Sequence, residues 1–205
     1  HKMGQEIFFY LGAYAPAFGM LLTSTDGNFF ISFILATSLG MFAGLINGLL
    51  VTKIGIPSIV ATIGTLYFWR GLVNVISQGS GIAIVDVADG TWHHTLFVEK
   101  LFGKIPAQFI WFIVLTALMQ WFYRYHKFGN HIHFVGDNKA SAQMMGINVD
   151  LVKIIAFVQL GFFSALAGIF TMYEMLYFWP TQGSGLMLTT LAAVFVGGTS
   201  VFGGK

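Results

Sequence analysis

The sequence predicts an all-α fold, a polytopic transmembrane helical bundle. Three observations carry this. Hydrophobic residues make up 56% of the 205 residues and charged residues only 9%, with a mean hydropathy of +0.77, whereas soluble domains carry about 25% charge. Uncharged runs reach the about 20 residues that a helix needs to cross a hydrocarbon core. Ile7–Thr25 and Ile105–Tyr123 hold no formal charge, Gly27–Trp69 holds only Lys53, and Ile154–Gly204 only Glu174. The runs also lack the alternation, in segments of about ten residues, that a membrane β-barrel shows.

Taken in order, the spans fall at Ile7–Thr25, Phe29–Val51, Pro57–Ser77, Ala107–Tyr123, Leu151–Tyr173 and Leu186–Val201. They make one transmembrane domain over 1–205. The chain opens on His1-Lys2 and stops at Gly203-Gly204-Lys205, so it is expected to be the interior of a longer protein. The first span has no basic leader and no cleavage site of signal-peptide type. The second carries a ridge of small residues, Ala36, Gly40, Gly44 and Gly48, spaced by four on one helix face. Such ridges let backbones approach closely, and helix packing is the preferred reading over a substrate-lining face. The fifth span repeats the device with Gly161 and Ala165, and with Ser164 and Gly168.

The third span opens with Pro57, expected in its first turn, where a missing N–H costs nothing. It holds Thr62, Thr65, Arg70 and Asn74, polar residues at membrane depth. Intramembrane charge is a functional-site candidate by default, here a solute pathway. The bland reading of Arg70 is snorkelling to the interface beside Tyr67 and Trp69. Glu174 is a candidate partner for it.

Loop charge sets orientation. Alternating sides collects Lys2, Lys53, Arg124, Lys127, Lys139, Lys153 and Lys205 on one side and Lys100 and Lys104 on the other. The richer side is expected to be cytoplasmic. The 124–150 loop then faces the cytoplasm, and the 78–106 loop, with Asp86, Asp89 and Glu99, faces outward.

The 128–147 segment is a polar island with the signals of one short helix. Asp137 or Asn138 can cap its start. Lys139–Met145 supplies about two turns, kept slim by Ala140 and Ala142. Gly146 sits where a left-handed C′ residue is wanted, with Ile147 placed for the accompanying apolar contact. Met144 and Met145 are adaptable side chains suited to a groove on another protein. A helix this short is marginal in water alone, so it must dock on something. Gly136 precedes it. The competing reading is a simple connector on the membrane surface.

Other chemistry finds little support. The net charge is +2 with no basic block, which gives no footing for nucleic acid, and the absence of cysteine removes disulfides and thiolate metal sites. His126, His131 and His133 lack the i, i+4 spacing of helix-borne metal ligands. They and the His93-His94 pair are expected to be polar residues at the bilayer edge, with no metal bound. Gly198–Lys205 misses the phosphate-loop pattern, because Thr199 stands where its first glycine belongs. This chain is therefore expected to bind no cofactor and to hydrolyse no ATP by itself.

Several segments, in order, resemble one family. Asn47-Gly48-Leu49-Leu50-Val51, then Ile56-Pro57-Ser58-Ile59-Val60-Ala61-Thr62-Ile63-Gly64-Thr65-Leu66 with Arg70-Gly71, form the first block. Phe128-Gly129-Asn130-His131-Ile132, Val135-Gly136-Asp137-Asn138, and Ala142 through Met145-Gly146-Ile147-Asn148-Val149 form the second. Leu166-Ala167-Gly168, Gly183-Ser184-Gly185, Leu191-Ala192-Ala193 and Val196 to Gly204 complete it. This pattern is similar to permease subunits of bacterial ABC importers of the simple-sugar type, the group with ribose, xylose, arabinose, galactose and autoinducer-2 permeases. Departures are Met187 where the family has an acid after its Gly-x-Gly, the lack of an upstream Gly-x-Asp-Leu-Ser motif, and a match over His1–Ala43 in hydropathy alone.

The resemblance implies a multi-pass inner-membrane permease that translocates a monosaccharide. Its implied partners are membrane lipid, a second permease, an ABC ATPase carrying ATP and magnesium, and a periplasmic sugar-binding protein. The 138–145 helix then resembles the helix that couples such a permease to its ATPase. Alternatives are a permease for branched-chain amino acids or nucleosides and, in other classes, a membrane-embedded enzyme or a non-conducting scaffold.

Overall fold

The computed structural model describes residues 22, 28–101, 105–182, 192, 193 and 196. The first and sixth predicted spans lie almost wholly outside the described residues, as do the Gly183-Ser184-Gly185 stretch and the closing glycine-rich motif.

The described chain is helical, with only two-residue strands. Helix α1 (Phe29–Leu49) starts on Asn28, whose side chain accepts the Ile31 N–H at 3.4 Å. It continues without a break into a π-helical turn over Leu50–Ile54, three residues past the predicted end. Helix α2 (Ser58–Ile76) follows. Pro57 stands at its N-cap, with an extended ψ of 133°, rather than inside the first turn. The proline still fits there, because a cap position also needs no intrahelical N–H.

The connection to the next long helix holds β1 (Ile82–Ala83), α3 (Val85–Ala88), α4 (Trp92–Phe97), β2 (Lys100–Leu101) and β3 (Ile105–Pro106). Helix α5 (Ala107–Tyr125) leads into α6 (Lys127–Asp137), α7 (Lys139–Met144), α8 (Val149–Met175) and β4 (Tyr177–Phe178). Among the described residues, three stretches are long and apolar enough to cross a membrane: Phe29–Ile54, Ser58–Ile76 and Val149–Met175. Helix α5 has the length at 19 residues, but Gln108, Gln120, Tyr123, Arg124 and Tyr125 lower its hydropathy.

Helices α1 and α8 form the spine. Gly40, Gly44 and Gly48 of α1 lie against Gly161, Phe157 and Ile154 of α8. An added Cβ on Gly40 would sit 2.6 Å from the Gly161 carbonyl oxygen and 2.7 Å from Ala165 Cβ. Without side chains the two backbones meet directly. Dispersion contacts accumulate in a setting where lipid offers no hydrophobic drive. Ser164 and Gly168 are buried on the same helix. The two predicted ridges are thus each other's partners.

Strand β1 pairs antiparallel with β4, Ile82 opposite Phe178, so the ends of α2 and α8 share one side. Above them α4 closes the bundle with stacked rings. Phe97 lies parallel to Tyr173 of α8 (5.9 Å, 2°) and to Trp111 of α5 (5.7 Å, 17°). At the opposite end, α6 and α7 fold back on the start of α8. There Val135, Ala142, Val149 and Val152 make a small core edged by Phe128, Ile132 and Ile147.

Candidate functional site

The polar island forms a two-helix prong. The expectation of a single helix is corrected: Lys127–Asp137 is an 11-residue helix of its own, α6. The sequence offers no Ser, Thr, Asp or Asn to start it. His126 does so instead, accepting the Phe128 N–H on Nδ1 at 3.2 Å while its ring stacks on Phe122 (4.7 Å, 13°). His126 is therefore a cap, while His131 and His133 ride on α6. No group of three or more His, Cys, Asp or Glu side chains among the described residues could hold a metal ion.

Helix α7 starts and stops as its residues require. Asn138 Oδ1 accepts the N–H groups of Ala140 (2.9 Å) and Ser141 (3.2 Å). Asp137, the other cap candidate, ends α6. At the far end Gly146 adopts φ +78°. Its N–H reaches the Gln143 carbonyl at 2.9 Å, and the Ile147 N–H reaches the Ala142 carbonyl at 3.0 Å. These two bonds close the helix in the manner of a Schellman stop. Asn148 then caps α8 by accepting the Leu151 N–H at 3.1 Å.

The prong has two faces. Ala142 is only 1% exposed, pressed into the core below, with Ile147 at its edge. Met144 and Met145 point away, 86% and 60% exposed, with Gly136, Ala140 and Gly146 also at the surface. A groove of about 250 Å³ runs between α6 and α7, lined by Lys127, Asn130, His131, Phe134, Met145 and Ile147. An apolar tip on a rigidly capped base can bind a surface and transmit a push, because both caps fix its direction.

The four polar residues of α2 divide. Thr62 is fully buried and donates back to the Ser58 carbonyl at 2.8 Å. Thr65 donates to Asn47 Oδ1 of α1 at 2.9 Å. Only the second of these bonds ties α2 to α1. Arg70 and Asn74, one helical turn apart, lie toward the α4 end of α2 on another part of its circumference. Both are half-buried, and Arg70 Nε is buried with no hydrogen-bond partner among the described residues. Glu174, the suggested counterion, instead accepts from Gln108 of α5 at 3.3 Å.

The sequence reading gave no interhelical role to two polar residues. Asn47 is buried and holds Thr65. Gln159 of α8 accepts from Tyr123 of α5 at 3.0 Å and donates to Met119 Sδ at 3.2 Å. A lone amide inside an apolar run is the signal that marks both, since such groups seek partners across helices. His93, expected as a polar residue at the bilayer edge, is 4% exposed, in the closure above α8.

Comparison with known proteins gives a consistent result. The family described as "Branched-chain amino acid transport system / permease component" matches residues 2–204. The autoinducer 2 import system permease protein LsrC of Photorhabdus luminescens is 36% identical over 194 residues, covering 94% of this chain and 56% of that protein. LsrC of Yersinia pseudotuberculosis serotype O:3 (strain YPIII) and of Yersinia pestis (strain Pestoides F) are each 36% identical over 194 residues, covering 94% of this chain and 53% of theirs. The chain thus spans about half the length of the curated relatives it matches. No solved structure matches it.

Proposed function

The chain belongs to this permease family, a multi-pass component of the bacterial inner membrane, and on that premise we propose that it is the translocating subunit of an ATP-binding-cassette importer. Its cargo in this reading is a small polyhydroxylated solute, a monosaccharide or the autoinducer 2 named for its relatives. Energy comes from ATP and magnesium on a separate ATPase. A second permease completes the path, and a periplasmic binding protein delivers the solute.

One observation carries the proposal: a short helix, capped at both ends, holds Ala142 inward and Met144 and Met145 outward. The prong shares its end of the bundle with Lys53, Arg124, Lys127, Lys139 and Lys153, which favours the cytoplasmic side. The coupling surface comprises Gly136, Asp137, Asn138, Ala140, Met144, Met145 and Gly146, with Ala142 and Ile147 as its footing. In the proposed full set of six spans, α5 crosses the membrane beside α1, α2 and α8, and the remaining two spans come from 7–25 and 186–201. Arg70 and Asn74 face the solute path on α2, and Thr65 ties that helix to Asn47 of α1. Gly40, Gly44, Gly48 and Gly168 serve packing.

The test is Gly146→Val in the full-length permease assembled with its ATPase. A β-branched residue at φ +78° is strained, by about 1–2 kcal/mol for a left-handed residue. It also disturbs the two bonds that stop α7. Uptake should fall while the ATPase continues to turn over without coupling. Unchanged uptake would refute the assignment.

A further inference from the structure

His93 is a buried titratable group that transport of a neutral solute does not use. It sits on α4, where its Nδ1 lies 2.9 Å from Thr91 Oγ1 and 3.0 Å from the Tyr173 hydroxyl of α8. Its ring stacks on Phe29, the first residue of α1 (5.0 Å, 12°). One side chain therefore ties α4 to the ends of both spine helices. The same short helix is fastened to α5, where Trp111 Nε1 donates to the Leu96 carbonyl at 3.0 Å.

A neutral imidazole suits this place. Thr91 Oγ1 donates to the Ala88 carbonyl, so the Tyr173 hydroxyl is the one that can donate to an unprotonated Nδ1. An imidazolium is not suited, because its charge would lie among rings and away from water. Among the described residues, the groups around it agree in sense. From α1 the facing residue is Phe29, which carries no charge. From α8 it is Tyr173, followed by Glu174, which is engaged by Gln108 of α5. On α4 itself the neighbour is His94. Before α4 come Asp86 and Asp89, both exposed. Burial first, and His94 second, hold the His93 imidazole below its ordinary value.

We propose that His93 is a proton-operated latch: when protonated from the outer compartment it releases α4 from α1 and α8, and that end of the bundle opens. The sidedness rests on the proposed function, whereas the latch itself rests on the cluster. The sign follows from linkage. A group whose closed-state pKa is depressed favours the open state as pH falls below the open-state value, near 6.5. The open population then grows by up to about tenfold per pH unit until the closed-state pKa is passed.

These 205 residues contain no cysteine, and any cysteine elsewhere in the full-length transporter is first replaced by serine, so that pairwise labelling is selective. Leu96→Cys on α4 and Met175→Cys on α8, both exposed in the parent, are spin-labelled in the full-length transporter in lipid nanodiscs. Distances are read at about pH 7.5 and about pH 5.5, on either side of an ordinary imidazole pKa. The parent should show one short distance at the higher pH and a second, longer population at the lower. His93→Gln and His93→Phe, which cannot charge, should each hold one population at both pH values, and His94→Gln should still respond. A parent distribution that ignores pH, or a response that survives in both His93 variants, overturns the latch. Nanodiscs expose both faces, so this readout is independent of orientation. Labelling of Leu96→Cys in intact cells by an impermeant maleimide tests the sidedness separately.

Discussion

Replacing Gly44 by alanine sets two well-known effects against each other. Alanine is favoured over glycine in a helix by about 1 kcal/mol. At Gly44, however, the new Cβ would fall onto the Phe157 carbonyl oxygen, with the Phe157 carbonyl carbon and Val158 Cα each at 3.0 Å. These are backbone atoms of α8 and cannot rotate away, so the helices must separate. Overpacking of this sort costs about 1–3 kcal/mol, and separation also weakens the neighbouring contact at Gly40. The net expectation is destabilisation by about 1–2 kcal/mol. Gly64 on α2 gives the comparison, because an added Cβ there meets nothing within 4 Å. The same substitution at that site should be neutral or stabilising by up to about 1 kcal/mol. Unfolding of the full-length protein by SDS in mixed micelles, followed by helical circular dichroism, reads both. If Gly44→Ala matches the parent, or shifts in the same direction as Gly64→Ala, the close-approach reasoning is wrong.

Asn138→Ala removes the cap of α7 and should cost that helix about 1 kcal/mol; hydrogen exchange at the Ala140 and Ser141 amides should quicken, and unaltered protection would show the cap to be idle. Thr65→Val breaks the bond to Asn47 and should lower stability by about 0.6–2 kcal/mol, the span of interhelical bonds in membranes, with the same SDS titration as readout. Arg70→Leu should depress uptake while leaving folding intact; a variant that transports and folds like the parent would take Arg70 off the solute path.

Local features were the most legible. The caps of α7 are built from residues within ten positions of one another, and Asn138, Gly146 and Ile147 take the roles their chemistry offers. Span positions followed equally from hydropathy, with Phe29, Ser58 and Ala107 starting helices within a residue of expectation. Helix α6 was missed for a physical reason. Its start is capped by a histidine rather than by a usual capping residue, and its glycines at 129 and 136 weaken the helical signal, so tertiary packing of Val135 and Ile132 decides it.

The sequence by itself determined that this is a membrane-spanning helical chain, where its small-residue ridges lie, and how its exposed prong begins and ends. Each of those depends on solvent transfer or on bonds between near neighbours. Only the tertiary structure decided that the ridges of α1 and α8 face one another, that Thr65 bonds to Asn47, that Glu174 turns to Gln108, and that His93 is buried beneath Phe29. Those pairings join residues as far apart in the chain as Gly40 and Gly161. A ridge or a lone amide states that a partner is needed, but not which helix will bring it.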